Sequence, residues 1–505
     1  MRIGRNLAAG LGSSVWTALV GLAVVPFYVR YLGIEGYGLI GFLATAQIVV
    51  QLLDFGLVAT INREVARATG SDERRETSIL LHSLAVIYWV MAGVIGIAMV
   101  LLSPVVATQW LRADRMGTEG LVMVIMLMGL VMACRWPAQL YQGALMGAQR
   151  IVISSALSVA WVTLAGGGAV VVLAVVSPSI EAFLLWQSGV GLAYALAARA
   201  AGWRVVGREP VRFDRRQLER IWRFSAGLTG IGFTGIALSQ IDKIVLSKML
   251  SLSEYGHYML AVAVAGTLYL ISTPLSNVIY PRFSTLVHSG DTDRLAETYR
   301  LSTRLLGAIV FPVAMFFAVF PEEIVQAWTG NPGLALGMGS ILPFLAIGTA
   351  LHGVMHVPYA LQLAHGMTRI PLTINALLLL LVAPLTIVLV SAHGALGGAL
   401  SWLALHVLYL ALGTWLTHRR LLKGLGPKWL VRDVGVPLVV SALVGLLAFT
   451  LPVGGDLGVY ARVGCGVAWA VLASALTIAV SPALRAAALQ HLREWTYKTP
   501  QGRAT

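Results

Sequence analysis

The chain has 505 residues, of which 58% are hydrophobic and only 11% charged, and its formal net charge is +14. With a mean hydropathy of +0.80, it lies far from the roughly 25% charged residues of soluble domains, which excludes a soluble enzyme and leaves a polytopic membrane protein. The positive charge could suggest nucleic acid, but an excess of Lys and Arg on cytoplasmic loops accounts for it more simply.

Met1 to Asn6 precede an apolar run from Leu7 to Val29. That run is longer than the 7 to 15 residues of a signal-peptide core, so it is read as a first span that stays. Crossing about 30 Å of hydrocarbon takes about 20 residues. Runs of that kind lie near 9–30, 38–61, 79–102, 120–147, 152–176, 181–203, 224–249, 256–281, 298–320, 334–364, 370–391, 395–417, 433–452 and 458–480. The expectation is an all-α protein of about fourteen transmembrane helices, with the long runs at 120–147 and 334–364 tilted or broken.

The chain is built twice. Val-Arg-Tyr-Leu-Gly-Ile-Glu-Gly-Tyr-Gly38 reappears as Lys-Met-Leu-Ser-Leu-Ser-Glu-Tyr-Gly256, so that Tyr37-Gly38 falls on Tyr255-Gly256. Arg135-Trp136-Pro137 falls on His356-Val357-Pro358, and Gly147 to Arg150 on Gly366 to Arg369. An offset of about 220 residues is too long for a solenoid unit and describes two helical bundles, as in many secondary transporters. Six spans per repeat is even, so both repeats enter the membrane the same way round. The expected division is 1–203 as the first six-helix lobe, 204–223 as a basic linker, 224–420 as the second lobe and 421–505 as a helix pair with a tail.

With the amino terminus inside, the cytoplasmic face takes Arg2, Arg5, the Arg63 to Arg75 stretch, Arg150, the linker, Arg369, the Arg419 to Arg432 cluster and the tail. The other face takes little beyond Arg30, Arg112, Arg115, Lys248 and Arg462. That asymmetry puts both termini in the cytoplasm. Pro210 interrupts the linker, and Arg215 to Arg223 reads as a basic amphipathic helix on the anionic inner leaflet. The outward loops are about a dozen residues or fewer, too short for a catalytic domain.

Ionisable residues inside spans cost about 2.5–3.5 kcal/mol or more at the centre, so each calls for a function or a partner. Arg135 lies midway along the fourth span in Cys-Arg-Trp-Pro. A guanidinium forks onto phosphate oxygens, so Arg135 is read either as a phosphate-binding group in a wet cavity or as half of a buried pair with a carboxylate. His352 and His356, at the matching place in the second repeat, can add titratable positive charge, or serve as satisfied polar groups between helices. Asp242 and Lys243 adjoin in sequence and therefore point about 100° apart, so one is expected to face a cavity while the other snorkels or pairs across helices. Asp54 is a candidate for proton or sodium exchange, with an ion pair to Arg63 or Arg135 as the structural reading. Cys134 and Cys465 read as small buried hydrophobes. Met123, Met126, Met128, Trp161 and Tyr194 read as packing residues, and the Gly33 to Gly38 and Ser253 to Gly256 turns as hinges. No zinc motif, serine triad or nucleotide loop stands out, and no cofactor is expected.

The opening Leu-Gly-Ser-Ser-Val-Trp, then Pro-Phe-Tyr-Val-Arg-Tyr-Leu-Gly-Ile-Glu-Gly-Tyr-Gly, Leu-Leu-Asp-Phe-Gly-Leu and Asn-Arg-Glu-Val-Ala-Arg resemble bacterial O-antigen (Wzx-type) flippases. These are polysaccharide transporters of the multidrug/oligosaccharidyl-lipid/polysaccharide exporter superfamily. Ser-Gln-Ile-Asp-Lys-Ile-Val-Leu-Ser-Lys-Met-Leu and Tyr-Pro-Arg-Phe-Ser match the same family in the second half. The resemblance implies two six-helix bundles in the bacterial inner membrane and transfer of an undecaprenyl-pyrophosphate-linked oligosaccharide between leaflets. It implies ion-driven alternating access, with H+ or Na+, membrane lipids and other polysaccharide-assembly proteins as partners. On that reading Arg135, Lys243, His352, His356 and Arg30 are the substrate-binding candidates, and Asp54 and Asp242 the ion-coupling ones. A multidrug or cation antiporter of the same superfamily is one alternative. A membrane polysaccharide polymerase or ligase is the alternative from another class.

Overall fold

The computed structural model describes residues 2–68, 71–207, 214–451, 457–486 and 489, without the side chains of 2, 3, 7, 71, 72, 74, 215–229 and 231. In chain order the helices of the first part are α1 (Arg2–Val50), α2 (Leu57–Arg67), α3 (Ser71–Val105), α4 (Thr118–Arg135), α5 (Ala138–Gly147), α6 (Ile151–Val162), α7 (Gly168–Val175), α8 (Ile180–Val206), α9 (Arg215–Met249) and α10 (Leu252–Gly266). The second part holds α11 (Tyr269–Ser289), α12 (Thr292–Val319), α13 (Pro321–Thr329), α14 (Pro332–Met338), α15 (Leu342–Ala364), α16 (Arg369–Arg420), α17 (Gly426–Lys428), α18 (Val436–Thr450) and α19 (Val459–Val480). Among the described residues there is no strand, only an isolated bridge between Arg112 and Ser251. The all-α membrane class expected from composition is therefore borne out.

Ten helices among the described residues are long and apolar enough to cross a membrane, or eleven when the bent pair α10–α11 counts as one span. That is fewer than the expected fourteen. Part of the difference lies in two very long helices: α1 runs 49 residues and α16 runs 52. At about 1.5 Å per residue either would exceed twice the thickness of the hydrocarbon. Both are in fact two helices joined at a glycine, Gly33 (φ 72°) and Gly394 (φ 57°). An L-residue with a side chain would resist that backbone, so glycine is what lets each pair connect without a loop.

Several single spans are interrupted. Pro137 has no N–H to give Ala133, and the expected 120–147 span divides there into α4 and α5. The second half of α1 ends in a 3-10 turn, Gln51–Asp54, followed by left-handed Phe55 (φ 48°) and Gly56 (φ 76°) before α2. The 334–364 run divides between α14 and α15, and the 256–281 run breaks between Gly266 and Tyr269 with a bend of 43°. The helical run of α6 and α7 carries a π-helical turn at Thr163–Gly167.

Contacts group the chain into two compact units, Met1–Leu260 with Val390–Ala395, and Ala261–Leu389 with Leu396–Thr505. Within the first, the Tyr-Gly pairs of the two repeats meet. A Cβ on Gly38 would strike the carbonyl oxygen of Leu252, and one on Gly256 that of Ile34. Only hydrogen at both positions lets α1 and α10 approach backbone to backbone. Tyr37 and Tyr255 beside them are buried, and Tyr255 shares a 3.1 Å hydrogen bond with Thr45. Replacing Gly256 with leucine is expected to force this crossing apart at a cost of about 1–3 kcal/mol. A lowered unfolding temperature in detergent would register it.

Within the second unit, α12 packs along α15, and α18 and α19 pack on α12. The cysteines are half-buried rather than buried, and both are free thiols. The expected break at Pro210 and the tail from 490 onward lie outside the described residues, as do the side chains of the expected basic face at 215–223, whose backbone begins α9.

Candidate functional site

The end of α4 places Arg135 beside a cavity of about 130 Å³ lined by Gln47, Val50, Gln51, Met132, Arg135, Trp136 and Gln139. Spacing explains the lining. Gln47 near the end of α1 and Gln51 at the start of the 3-10 turn that continues it stand four residues apart, hence on one side, as do Arg135 and Gln139 across the α4–α5 break. Liquid water takes about 30 Å³ per molecule, so the cavity admits a few waters or one compact anionic group.

Arg135 donates a 3.2 Å hydrogen bond to Gln47 Oε1, and its guanidinium lies 4.0 Å from the centroid of the Trp161 ring. Among the described residues no carboxylate pairs with it. A guanidinium has five N–H donors, so most remain for a ligand. Stacking on an indole satisfies the positive face without neutralising the charge. The cavity wall carries one fixed positive charge and three amides.

Asp54 sits one step away. It accepts a hydrogen bond from the Tyr88 hydroxyl, and its Oδ1 accepts another from the Val58 N–H at 3.2 Å, across the left-handed break that starts α2. Tyr88 in turn stacks on Trp136, with centroids 6.0 Å apart. The carboxylate is thus joined through two rings to the backbone next to Arg135. Neither expected ion-pair partner is the one it makes here: Arg63 pairs with Glu64 at 2.6 Å, and Arg135 bonds Gln47.

Asp242 and Lys243, expected to point apart, bond to each other. Lys243 Nζ lies 3.1 and 3.0 Å from the two Asp242 oxygens and donates to the Ser239 carbonyl at 3.0 Å, while Tyr258 donates to Asp242. The 100° rule applies to the Cβ vectors, and a four-carbon stem is long enough to bend back across it. Both side chains are buried, at 9% exposure for the lysine and 3% for the aspartate, and neither lines the Arg135 cavity. Arg30 is exposed on α1, three residues before the Gly33 break.

In the second unit, His352 and His356 lie near the middle of α15. Tyr269 shares a 2.8 Å hydrogen bond with His352 Nδ1, and His356 Nδ1 is 3.2 Å from the Gly353 carbonyl oxygen. Among the described residues no group of three or more His, Cys, Asp or Glu is arranged to hold a metal.

Sequence reasoning missed Gln47, Gln51, Gln139 and Tyr88, and read Trp161 as packing when it forms a wall for Arg135. The glutamines did carry a signal, since amides in an apolar span also call for a wet or polar surrounding, though less strongly than charges do.

Comparison with known proteins places this architecture. A family model described as polysaccharide biosynthesis protein matches residues 28–332, more than half of the chain. A Shigella flexneri protein named "Putative O-antigen transporter" is 20% identical over 418 residues, covering 81% of this chain and 97% of that one. The succinoglycan biosynthesis transport protein ExoT of Rhizobium meliloti (strain 1021) is 24% identical over 184 residues, 34% of this chain and 37% of its own. Among solved structures, the lipid II flippase MurJ in an inward closed conformation superposes with a TM-score of 0.66 at 12% identity, covering 92% of this chain and 98% of MurJ. An inward-facing multidrug resistance MATE family transporter of the MOP superfamily gives a TM-score of 0.62 at 14% identity, covering 80% and 94%. These two establish the fold, and the family match establishes descent. The chain belongs to the polysaccharide biosynthesis protein family, on the fold shared with the flippases and multidrug transporters of the MOP superfamily.

Proposed function

We propose that the protein is a flippase carrying a lipid-linked oligosaccharide from the inner to the outer leaflet of the bacterial inner membrane, for assembly of a surface polysaccharide. The observation that carries this reading is Arg135: a guanidinium in a polar cavity of an apolar helix, without a carboxylate partner among the described residues. A buried cation without a counter-charge is stabilised when an anion binds. The diphosphate linking sugar to lipid is such an anion, and the cavity is the size of a head group rather than of a saccharide. The names of the Shigella flexneri and Rhizobium meliloti relatives point to the same class of cargo.

In this reading the lobes are 1–203 and 224–420, both termini are cytoplasmic, and transfer needs no covalent step. The lipid tail stays in the bilayer while the charged head crosses through a hydrated path, which removes most of the penalty for entering hydrocarbon. Deleting the protein should cause a lipid-linked saccharide to accumulate on the inner leaflet, where mass spectrometry would identify it. A cation antiporter would instead call for a carboxylate in the cavity, and it would leave lipid-linked saccharides undisturbed.

Asp54 is the proposed coupling carboxylate of the first lobe, held by Tyr88 next to the Arg135 site. Asp54→Asn keeps the shape but cannot exchange a proton or balance a sodium ion. Transport in liposomes by this variant should depend less on the ion gradient than that of the unaltered protein. Unchanged dependence would remove Asp54 from the coupling machinery.

A further inference from the structure

A second cluster of titratable groups lies in the other compact unit, and the Arg135 site does not use it. His352 and His356 stand one turn apart on α15 with ring centroids 5.1 Å apart, and His406 of α16 lies 4.7 Å from His352. All three fall near the middle of their spans, where an ionisable group is most costly and therefore calls for a role.

The hydrogen bonds define where protons already sit. His356 Nδ1 is 3.2 Å from the Gly353 carbonyl oxygen, and His406 Nδ1 is 2.8 Å from that of Trp402. A carbonyl only accepts, so both Nδ1 atoms carry hydrogen and both donate. In the neutral rings Nε2 is then the basic atom. His352 differs, because its Nδ1 faces the Tyr269 hydroxyl, which can donate or accept.

The surroundings hold no fixed counter-charge for His352 or His356 among the described residues. From α11 comes Tyr269, whose ring is 5.6 Å from His352 and 6.2 Å from His356. From α16 come His406 and Tyr409, the latter 6.1 Å from His352. On α15 itself the remaining titratable group nearby is Tyr359. On the α12 side, Val310 lies beside Gly353, and the arginines Arg300 and Arg304 are bound to Asp433.

We propose that His352, His356 and His406 form a proton-binding site that takes up one proton among three rings and couples it to transport. Imidazole is the side chain whose unperturbed charge change lies between about pH 5 and 8, which makes it the natural proton carrier among side chains. Two imidazolium rings this close would repel, so the second and third protons are strongly disfavoured and the cluster titrates as one group. His352 and His356 stay partly accessible, which a proton needs to enter and leave.

Tyr269 gives the proton a mechanical consequence. It is the first residue after the break between α10 and α11. In the neutral tautomer that carries its hydrogen on Nε2, His352 accepts at Nδ1 from the hydroxyl. Once Nδ1 is protonated, the ring donates and the hydroxyl must turn its hydrogen elsewhere. From that tautomer, protonation reverses a hydrogen bond at the bend of a transmembrane span.

The coupling role rests on the transporter reading above, but proton binding can be measured without cargo. Trp402 packs edge-on against His406, with centroids 4.4 Å apart. A protonated imidazole quenches an adjacent indole. The full chain, in nanodiscs of phosphatidylethanolamine and phosphatidylglycerol, would be titrated from about pH 4 to 8, and the Trp402→Phe signal subtracted.

The expected result is one acid-side loss of fluorescence, abolished in His406→Gln and displaced along the pH axis in His352→Gln. Unfolding temperatures of the variants separate this from misfolding. A flat difference signal, or a midpoint that ignores His352→Gln, overturns the site. In cells, His352→Gln should export little glycan and lose sensitivity to a protonophore, and full, still sensitive export overturns the coupling role. If the nanodisc titration appears but deletion of the protein accumulates no lipid-linked saccharide, the proton site stands and the flippase reading falls.

Discussion

Replacing Arg135 with alanine is expected to abolish surface-glycan export while leaving the protein in the membrane. The side chain makes one hydrogen bond, to Gln47, and rests on Trp161, so its removal costs the fold little. What disappears is the fixed positive charge of the cavity. Taking a charge-assisted hydrogen bond out of a partly dehydrated site costs about 2–5 kcal/mol, a factor of roughly 30 to several thousand in affinity. Arg135→Lys keeps the charge as a point but loses the planar fork and the flat stack on the indole, so it should recover export only in part. Export per copy of membrane-inserted protein is the measurement. Normal export by a well-expressed alanine variant would remove Arg135 from the transport path.

Asp433→Ala should destabilise the fold more than either Gly256→Leu or Arg135→Ala. Asp433 is fully buried at the head of the C-terminal helix pair and is shared by two arginines of α12: Arg300 reaches its Oδ2 at 2.8 Å, and Arg304 its Oδ1 at 2.5 Å. Arg304 is only 16% exposed and Arg300 31%, so water screens neither well. Removing the carboxylate leaves two cations facing each other with no counter-charge, at a cost of about 3–5 kcal/mol. Trp429, in the same π-helical turn, donates to Thr303 at 2.9 Å and stacks on Tyr299, so the whole junction should loosen together. A fall in unfolding temperature in detergent and new proteolysis near residues 421–435 would show it. Because both arginines depend on one carboxylate, the losses from Arg300→Ala and Arg304→Ala should not add.

The junction also shows what the C-terminal pair does in this unit. By sequence, residues 421–505 stand as an appendage beyond the repeat. In the structure α18 and α19 pack on α12, and Gly445 and Gly466 are places where side chains of α12 and of Phe320 at its end come close to them. The pair is welded to the second unit by an ion-pair junction at one end and small-residue packing along its length.

Much of the molecule is legible without coordinates, because a bilayer imposes simple rules. Hydrocarbon admits long apolar helices, so composition and run length are enough for the class and for most span positions. The duplication can be read because Tyr37-Gly38 and Tyr255-Gly256 do the same physical job. Arg135 stands out because charge is costly at mid-span. The amino-acid order alone also carries the family, in helix-packing motifs that the comparison with known proteins bears out.

Partners, by contrast, are decided by tertiary structure. That Asp242 and Lys243 neutralise each other, that Trp161 forms a wall for Arg135, that Tyr88 holds Asp54 and that His406 joins His352 all depend on which residues meet across helices or how a long stem bends. Hydrophobic periodicity fixes which stretch enters the membrane, but it is nearly silent on rotation about the helix axis when every face is apolar. Those rotations are set by close backbone approach at small residues and by the few polar groups that must find each other in a medium without water.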